Sequence, residues 1–132
     1  MNNQDIRWKQ RFSNFRLAME NLSDGLSVEK PNELEKSGII QIFEYTFELA
    51  WKTIKDFLIE NDVEVNFPRE IIKTAFSHQI LENGDIWIDM LEKRNLMSHT
   101  YDKKNAELAY QLIKNEYFSE LIKLLSFFDK KS

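Results

Sequence analysis

The segment EKRNLMSHTYDKK at residues 92–104 places an arginine, a histidine and a tyrosine within eight positions: Arg94, His99 and Tyr101. The planar guanidinium of an arginine binds two phosphate oxygens at once, and a histidine imidazole exchanges protons near neutral pH. Held together, the two side chains can bind a phosphodiester and cleave it by general acid–base catalysis without a metal ion. The segment is therefore a candidate phosphate-binding and cleavage site.

The spacing of these residues limits how they can meet. On an ideal helix Trp87, Leu91 and Arg94 lie on one line, which predicts that Arg94 extends an apolar stripe to its edge. His99 follows five residues later, about 140° further around the helix. The two side chains can converge only if the helix ends between them, and the short polar residues of SHTYDKK favour a turn there.

A purely structural interpretation stays open. Arg94 could complement the helix dipole and bind last-turn carbonyls, while His99 and Tyr101 could be partly buried amphipathic residues. Three lysines flank the pair and form the one local basic cluster that the sequence indicates: Lys93, Lys103 and Lys104. The spacing alone does not separate the two interpretations.

Composition favours a helical fold for the elements that must position this site. The chain has 132 residues, 42% of them hydrophobic, which fits one domain at 1–132 with a real core. Only 3 glycines and 2 prolines leave little turn material for a many-stranded sheet. We therefore predict an all-α protein, an antiparallel bundle of four long helices and one additional short helix.

Charge and cysteine content exclude some function classes. The net charge of −4 gives no global field for nucleic acid, so any RNA contact needs a local basic patch. The absence of cysteine excludes disulfides, cysteine–zinc sites and thiol catalysis. The beginning MNNQDIRWKQ lacks an apolar signal core, and no uncharged run approaches the length of a membrane span. We expect a cytoplasmic protein with no membrane contact.

Apolar periodicity places the first helices. A four-three stripe predicts helix 1 from Asp5 to Leu26, and a long helix follows Pro31. That second helix is apolar around much of its circumference in 38–61, which is typical of a central helix. Its polar ridge, which is either a solvated face or part of a site, consists of Glu44, Glu48 and Lys52.

The second half is predicted from turn and cap signals. Pro68 begins a short helix that ends near His78, which has no second histidine at ligand spacing. Asp85 is the expected N-cap of helix 4, and Asn105 that of the last helix. The apolar stripe of the last helix is formed by Leu108, Leu112, Tyr117, Leu121, Leu124 and Phe128.

The motif and its surroundings resemble a known family. RNLMSHTY at 94–101 is similar to the R-x-x-x-x-H-x-Y signature of HEPN-domain proteins of the HepT-like group, also described as nucleotidyltransferase substrate-binding proteins. FEYTFELAWK at 43–52, FPRE at 67–70 and WIDMLEKRN at 87–95 extend the resemblance in order along nearly the whole chain.

The resemblance implies a helical bundle that pairs as a homodimer, with the two motifs facing one cleft. It also implies a toxin of a toxin–antitoxin pair that cleaves RNA without a metal or other cofactor. The implied partner is a minimal nucleotidyltransferase that neutralises the toxin by transferring AMP to it. The alternative is a non-catalytic nucleotidyltransferase substrate-binding subunit or adaptor.

The resemblance also implies roles for individual residues. Arg94 would hold the scissile phosphate, Asn95 would help orient the site, His99 would be the general acid and base, and Tyr101 would accept AMP. A further expectation concerns the polar ridge, which would support Arg94 or His99 or contact the partner: Glu44, Glu48 and Lys52. Trp51 and Phe47 are expected in the core rather than as base-stacking platforms.

Overall fold

The computed structural model describes residues 3–132, with side chains from residue 6 onward. The elements in chain order are α1 Asn3–Leu26, α2 Glu33–Glu60, α3 Pro68–Ser77, α4 Gly84–Glu92, α5 Arg94–Met97, α6 Lys103–Leu112, a π-helical segment Ile113–Tyr117, and α7 Phe118–Lys131. The predicted all-α bundle is confirmed. No helix in this range combines the length and apolar content that a bilayer crossing requires.

Helices α1 and α2 form the principal hairpin of the bundle. The predicted seam of α1 is buried from Trp8 through Leu22, because its four-three spacing faces the long apolar surface of α2. Asn32 caps α2: its side chain accepts from the Glu35 amide at 2.8 Å, and the Glu35 side chain accepts from the Asn32 amide at 2.9 Å. This reciprocal capping box fixes the point where α2 begins after Pro31.

Helix α2 is central, as its apolar circumference predicts. The Phe43 ring stacks on Tyr117 of the π segment with centroids 5.5 Å apart, and Phe47 packs on Trp87 of α4 at 6.0 Å. Thr46 and Thr53 are also buried, and each hydroxyl donates to the carbonyl four residues earlier at 2.7 Å. Because α2 touches both α4 and the π segment, it positions the residues that follow α4.

Helix 4 differs from the prediction in length and in its cap. It is not a long helix: α4 has 9 residues and is followed by the one-turn helix α5. Asp85 is not the N-cap, since α4 already begins at Gly84 and the cap position is Asn83. The Asn83 amide donates instead to the buried carboxylate of Glu120 at 2.9 Å. A tertiary contact thus replaces the local cap.

The last helix also begins earlier than predicted. Asp102 is its N-cap and accepts from the Lys104 amide at 2.9 Å, whereas the Asn105 side chain donates to the His99 carbonyl at 3.1 Å. Leu108 is 49% exposed, while Ala109 and Tyr110 are buried. The predicted stripe was wrong at this end, because its five-residue step from Leu112 to Tyr117 does not follow the α-helical period.

Candidate functional site

The site begins at a break in the helix that carries the motif. Asp89 in the last turn of α4 accepts from the Lys93 ammonium at 2.7 Å and from the Tyr117 hydroxyl at 2.5 Å. Partial burial favours the neutral acid, but these two hydrogen bonds hold the pKa of Asp89 below its ordinary value. These hydrogen bonds therefore anchor the end of α4 to the π segment. Arg94 follows Lys93 directly, so the same contacts help to position it.

Arg94 lies over two aromatic rings of α2. Its guanidinium carbon is 5.9 Å from the Phe47 centroid and 6.0 Å from the Trp51 centroid. The guanidinium makes no hydrogen bond to a main-chain carbonyl and no ion pair within residues 6–132. The cation–π contacts orient it and stabilise it by about 0.5–1 kcal/mol each. The capping of last-turn carbonyls, which the structural interpretation proposed for Arg94, is thus absent, and the guanidinium donors remain available.

A cavity of about 410 Å³ opens beside Arg94. Aromatic and acidic side chains of α2 line it, including Phe43, Glu44, Phe47, Glu48 and Trp51. Phe47 is buried as expected for a core residue, but Trp51 is only partly buried and one side of it faces the cavity. A charged fork above aromatic walls is suited to a phosphate next to a planar base.

The polar ridge of α2 meets this cavity at two of its three residues. Glu44 and Glu48 line it, and both are exposed, as a solvated face also predicts. Burial of part of the side chain raises the pKa of Glu44. The Lys52 hydrogen bond at 2.7 Å lowers the pKa of Glu48, and the positive charges of Lys52 and Arg94 add to that effect. Neither carboxylate bonds to His99.

His99 and Tyr101 form a pair in the turn after α5. The His99 Nδ1 atom and the Tyr101 hydroxyl oxygen are 2.8 Å apart in a hydrogen bond, and the two rings meet edge to face. Both residues are exposed, Tyr101 to 83%, which contradicts the interpretation of partly buried residues. The side-chain amide of Asn105 donates to the His99 carbonyl and so stabilises the turn.

The structure brings only some of the predicted site residues together. The chain leaves helix α5 before His99, as convergence with Arg94 requires, yet His99 does not line the Arg94 cavity. Asn95 is exposed on α5, where its carbonyl accepts from the Ser98 hydroxyl at 3.3 Å. Tyr101 instead lines a second cavity, of about 550 Å³, with residues at the beginning of α2.

The flanking lysines are not the only local basic cluster. Lys93 is paired with Asp89 at 2.7 Å, and Lys103 with Glu33 at 3.3 Å. The packing of α1 on α2 assembles a second group of cations that the sequence analysis missed: Arg7, Arg11, Lys52 and Lys55. Their separation along the chain gives no local signal.

His78 is exposed at the end of α3, apart from both cavities described above. Among the described side chains, no group of three or more His, Asp or Glu is arranged to hold a metal ion.

The fold and this site define a class of helical proteins, and comparison with known sequences identifies it. The sequence model of the nucleotidyltransferase substrate binding protein like family matches residues 10–130. The chain belongs to this family, which confirms the resemblance drawn from the motif.

A curated relative and two solved structures are similar to this chain. A probable ribonuclease HepT of Haemophilus influenzae is 29% identical over 82 residues, which cover 58% of this chain and 56% of that relative, less than two thirds of its length. A Thermus thermophilus protein of known structure is 27% identical with a TM-score of 0.78, covering 85% of this chain and 96% of that one. A second Haemophilus influenzae protein is described as having the fold of a substrate binding domain of a nucleotidyltransferase; it is 23% identical, with a TM-score of 0.68 and coverage of 96% and 99%. This last likeness concerns the fold alone.

Proposed function

We propose that this chain, acting as one domain at 1–132 in the cytoplasm, is a metal-independent endoribonuclease toxin that a partner nucleotidyltransferase neutralises by AMP transfer. The observation that carries the proposal is the exposed hydrogen-bonded pair of His99 and Tyr101, five and seven residues after an arginine without an ion-pair partner within the described part of the chain. The similarity to a probable ribonuclease HepT supports it.

The chemistry assigns one role to each side chain. Arg94 binds the scissile phosphate through its fork and offsets the charge that builds on the phosphoryl oxygens. The ribose 2′-oxygen attacks phosphorus while the bond to the 5′-oxygen breaks, which leaves a 2′,3′-cyclic phosphate and a 5′-hydroxyl. A histidine acting as base takes the 2′-hydroxyl proton, and a histidine acting as acid gives a proton to the leaving oxygen. Asn95 helps to orient the phosphate.

The need for two proton-transfer groups motivates a homodimer. One imidazole cannot stand on both sides of the scissile phosphate at once, whereas two copies of His99 facing one cleft can. His99 does not line the Arg94 cavity of its own chain, so both histidines would reach the phosphate only in the cleft of the proposed dimer. Glu44 and Glu48, beside Arg94, would hold its orientation or contact the nucleotidyltransferase, with Lys52 fixing Glu48.

The position of Tyr101 beside His99 supports neutralisation by AMP transfer. Transfer of AMP from ATP to the Tyr101 oxygen forms a phosphodiester, releases pyrophosphate and removes the hydroxyl proton. The added phosphate carries a negative charge and is attached to the oxygen that now lies 2.8 Å from His99 Nδ1. It would repel the RNA phosphate and occupy its position.

The test is RNA cleavage by the purified protein in EDTA. We expect His99→Ala to lower the cleavage rate by about 10²- to 10⁴-fold, and Arg94→Ala to abolish cleavage within detection. His78→Ala is the matched control, since it removes an exposed histidine that lines neither the Arg94 nor the Tyr101 cavity, and it should cleave like the wild type. Folding and dimer mass are measured for each variant. Undiminished cleavage by folded His99→Ala would refute the mechanism.

A second candidate function rests on the exposure of Tyr101. A side chain 83% exposed, beside a cavity lined by α2 and α6, is accessible to another protein without unfolding. In this alternative the chain is a non-catalytic substrate-binding subunit, in keeping with the family description. It predicts a stable complex with the co-encoded nucleotidyltransferase that survives His99→Ala, together with no RNA cleavage by wild type free of AMP.

A further inference from the structure

A third cavity, a cleft of about 310 Å³, lies between α1 and α2 and shares Trp51 with the Arg94 cavity. Its lining is strongly basic. Four cationic side chains and one carboxylate contribute, which gives a net charge of +3 from four minus one: Arg7, Arg11, Lys52, Lys55 and Asp56. In a chain with a net charge of −4, this is a local reversal of sign. A local positive surface of this kind favours binding of a nucleic-acid phosphate backbone.

The basic cleft is built rather than incidental. Asp56 is buried and paired with the Arg11 guanidinium at 2.9 Å, so it holds that arginine in the lining of the cleft. Burial raises the pKa of Asp56, and the nearby charges of Arg11, Arg7, Lys55 and Lys52 oppose the rise. All four cations are thus close enough to the buried Asp56 carboxylate to affect its charge. Arg7 and Lys55 make no ion pair within residues 6–132, which leaves their charges for a ligand.

The cleft and the Arg94 cavity share one lining residue, Trp51. The Trp51 ring centroid is 6.0 Å from the Arg94 guanidinium carbon and 5.7 Å from the Lys52 ammonium nitrogen. Glu48 lies near cations of both cavities. The hydrogen bond from Lys52 lowers its pKa most, and the charges of Arg94 and Arg11 also lower it. Arg94, Lys52 and Arg11 therefore lie close enough to one carboxylate, Glu48, to act on its charge.

We propose that the α1–α2 cleft is a phosphate-binding track for single-stranded RNA, which carries the strand away from the phosphate at Arg94 across Trp51 to Arg7 and Lys55. The proposal rests on the proposed ribonuclease function for its substrate class. Single-stranded RNA fits better than an acidic protein surface, because the aromatic ring shared by the Arg94 cavity and the basic cleft provides base stacking between phosphate contacts.

The test measures RNA binding separately from cleavage. Binding of a fluorescent single-stranded RNA of about 20 nucleotides is followed by anisotropy with His99→Ala protein, over a series of salt concentrations. The track variant is Arg7→Gln combined with Lys55→Gln. Arg11 is kept, because its removal would leave the buried Asp56 unpaired. The control is Lys73→Gln with Lys130→Gln, two exposed lysines on α3 and α7 that lower the net charge equally.

The size of the effect follows from counterion release. Each phosphate contact to a single strand contributes a slope of about −0.7 in log K against log salt, which is about fivefold in affinity at 0.1 M salt. We expect the track variant to bind roughly 25-fold more weakly, with a salt slope smaller by about 1.4. The control pair should bind like its parent and keep the parent's salt slope.

Each outcome decides the question. Equal affinity of track and control variants, or no RNA binding by the parent protein, would overturn the track. So would loss of the nucleotidyltransferase complex with RNA binding intact, since the cleft would then be a protein interface. Binding that depends on the track, in a protein whose wild type does not cut RNA, would support the track and refute the nuclease. Wild-type cleavage that the track variant matches at low RNA concentration would do the reverse.

Discussion

The hydrogen bond between Tyr117 and Asp89 connects the π segment to the end of α4, and Tyr117→Phe removes it without changing the packed ring. A bond to a charged acceptor contributes about 1.5–3 kcal/mol. The Asp89 side chain is 36% exposed and keeps Lys93 as a partner, so water compensates for part of the loss. We therefore expect Tyr117→Phe to lower the free energy of unfolding by about 1–2 kcal/mol.

Calorimetry converts this free energy into a measurable shift. With an unfolding entropy of about 2.1 cal/mol/K per residue, a chain of 132 residues has about 0.28 kcal/mol/K, so Tm should fall by about 4–7 °C. Tyr110→Phe is the matched control: its hydroxyl is equally buried but has no hydrogen-bond partner within the described residues. That variant should be neutral or slightly more stable. Equal losses in the two variants would refute the assignment of stability to the Asp89 bond.

The same bond predicts a dependence on alkaline pH. Burial first, and then the bond to Asp89, raises the pKa of Tyr117 well above its ordinary value of 10.0. The folded chain resists ionisation of this tyrosine while the unfolded chain does not. The contribution is therefore complete below pH 10 and is lost as pH rises beyond it. Wild type should lose stability more steeply above pH 10 than Tyr117→Phe, which chemical denaturation at pH 9 and 11 would show; parallel losses would contradict the argument.

Three contacts at the site and at the α2 cap give further expectations. Arg94→Lys keeps the charge but loses the fork and its stacking, so we expect RNA cleavage to fall on the order of tenfold, equivalent to one charge-assisted hydrogen bond, in the same EDTA assay. Tyr101→Phe should cleave within a few-fold of wild type yet gain no mass of AMP when incubated with the nucleotidyltransferase and ATP; a modified product would move the acceptor elsewhere. Asn32→Ala should lower Tm by about 4 °C, corresponding to about 1 kcal/mol for a lost cap, and an unchanged value would mean that water replaces it.

The first half of the fold was predictable because its signal is periodic. The seam from Trp8 to Leu22 repeats every three or four residues, and no other arrangement buries so many large apolar side chains on one helix. The central position of α2 followed from its apolar circumference in the same way. These features depend on residues close in sequence, which one chain displays fully.

The caps of the second half were predicted wrongly for a common reason. Asp85 and Asn105 have suitable side chains, but the residues at the cap positions are Asn83 and Asp102. The Asn83 side chain donates a hydrogen bond to the buried Glu120, 37 residues later, and the Asn105 side chain donates one to the His99 carbonyl. A side chain that can form a cap is visible in a sequence, whereas a competing partner is not.

In the candidate site, too, features formed by residues close in sequence were predicted, whereas features formed by distant residues were missed. Its motif residues were found because Arg94, His99 and Tyr101 lie within eight positions and resemble a family signature. The aromatic support of Arg94 was not predicted, since Phe47 and Trp51 lie more than forty residues earlier. The basic cleft was missed because it joins two helices whose cations give no signal one by one. The homodimer and the roles of the motif residues stay predictions.

The π segment Ile113–Tyr117 also has a consequence for how chain length can vary among relatives. A π turn accommodates one residue more than the α-helical path it replaces. Its middle residues, Lys114, Asn115 and Glu116, are exposed, while Ile113 and Tyr117 at its ends are buried. Loss of one middle residue would turn the bulge into regular helix and leave the flanking stretches in phase. We therefore expect single-residue gaps in alignments of relatives to fall here more readily than at other interior positions of α6 or α7.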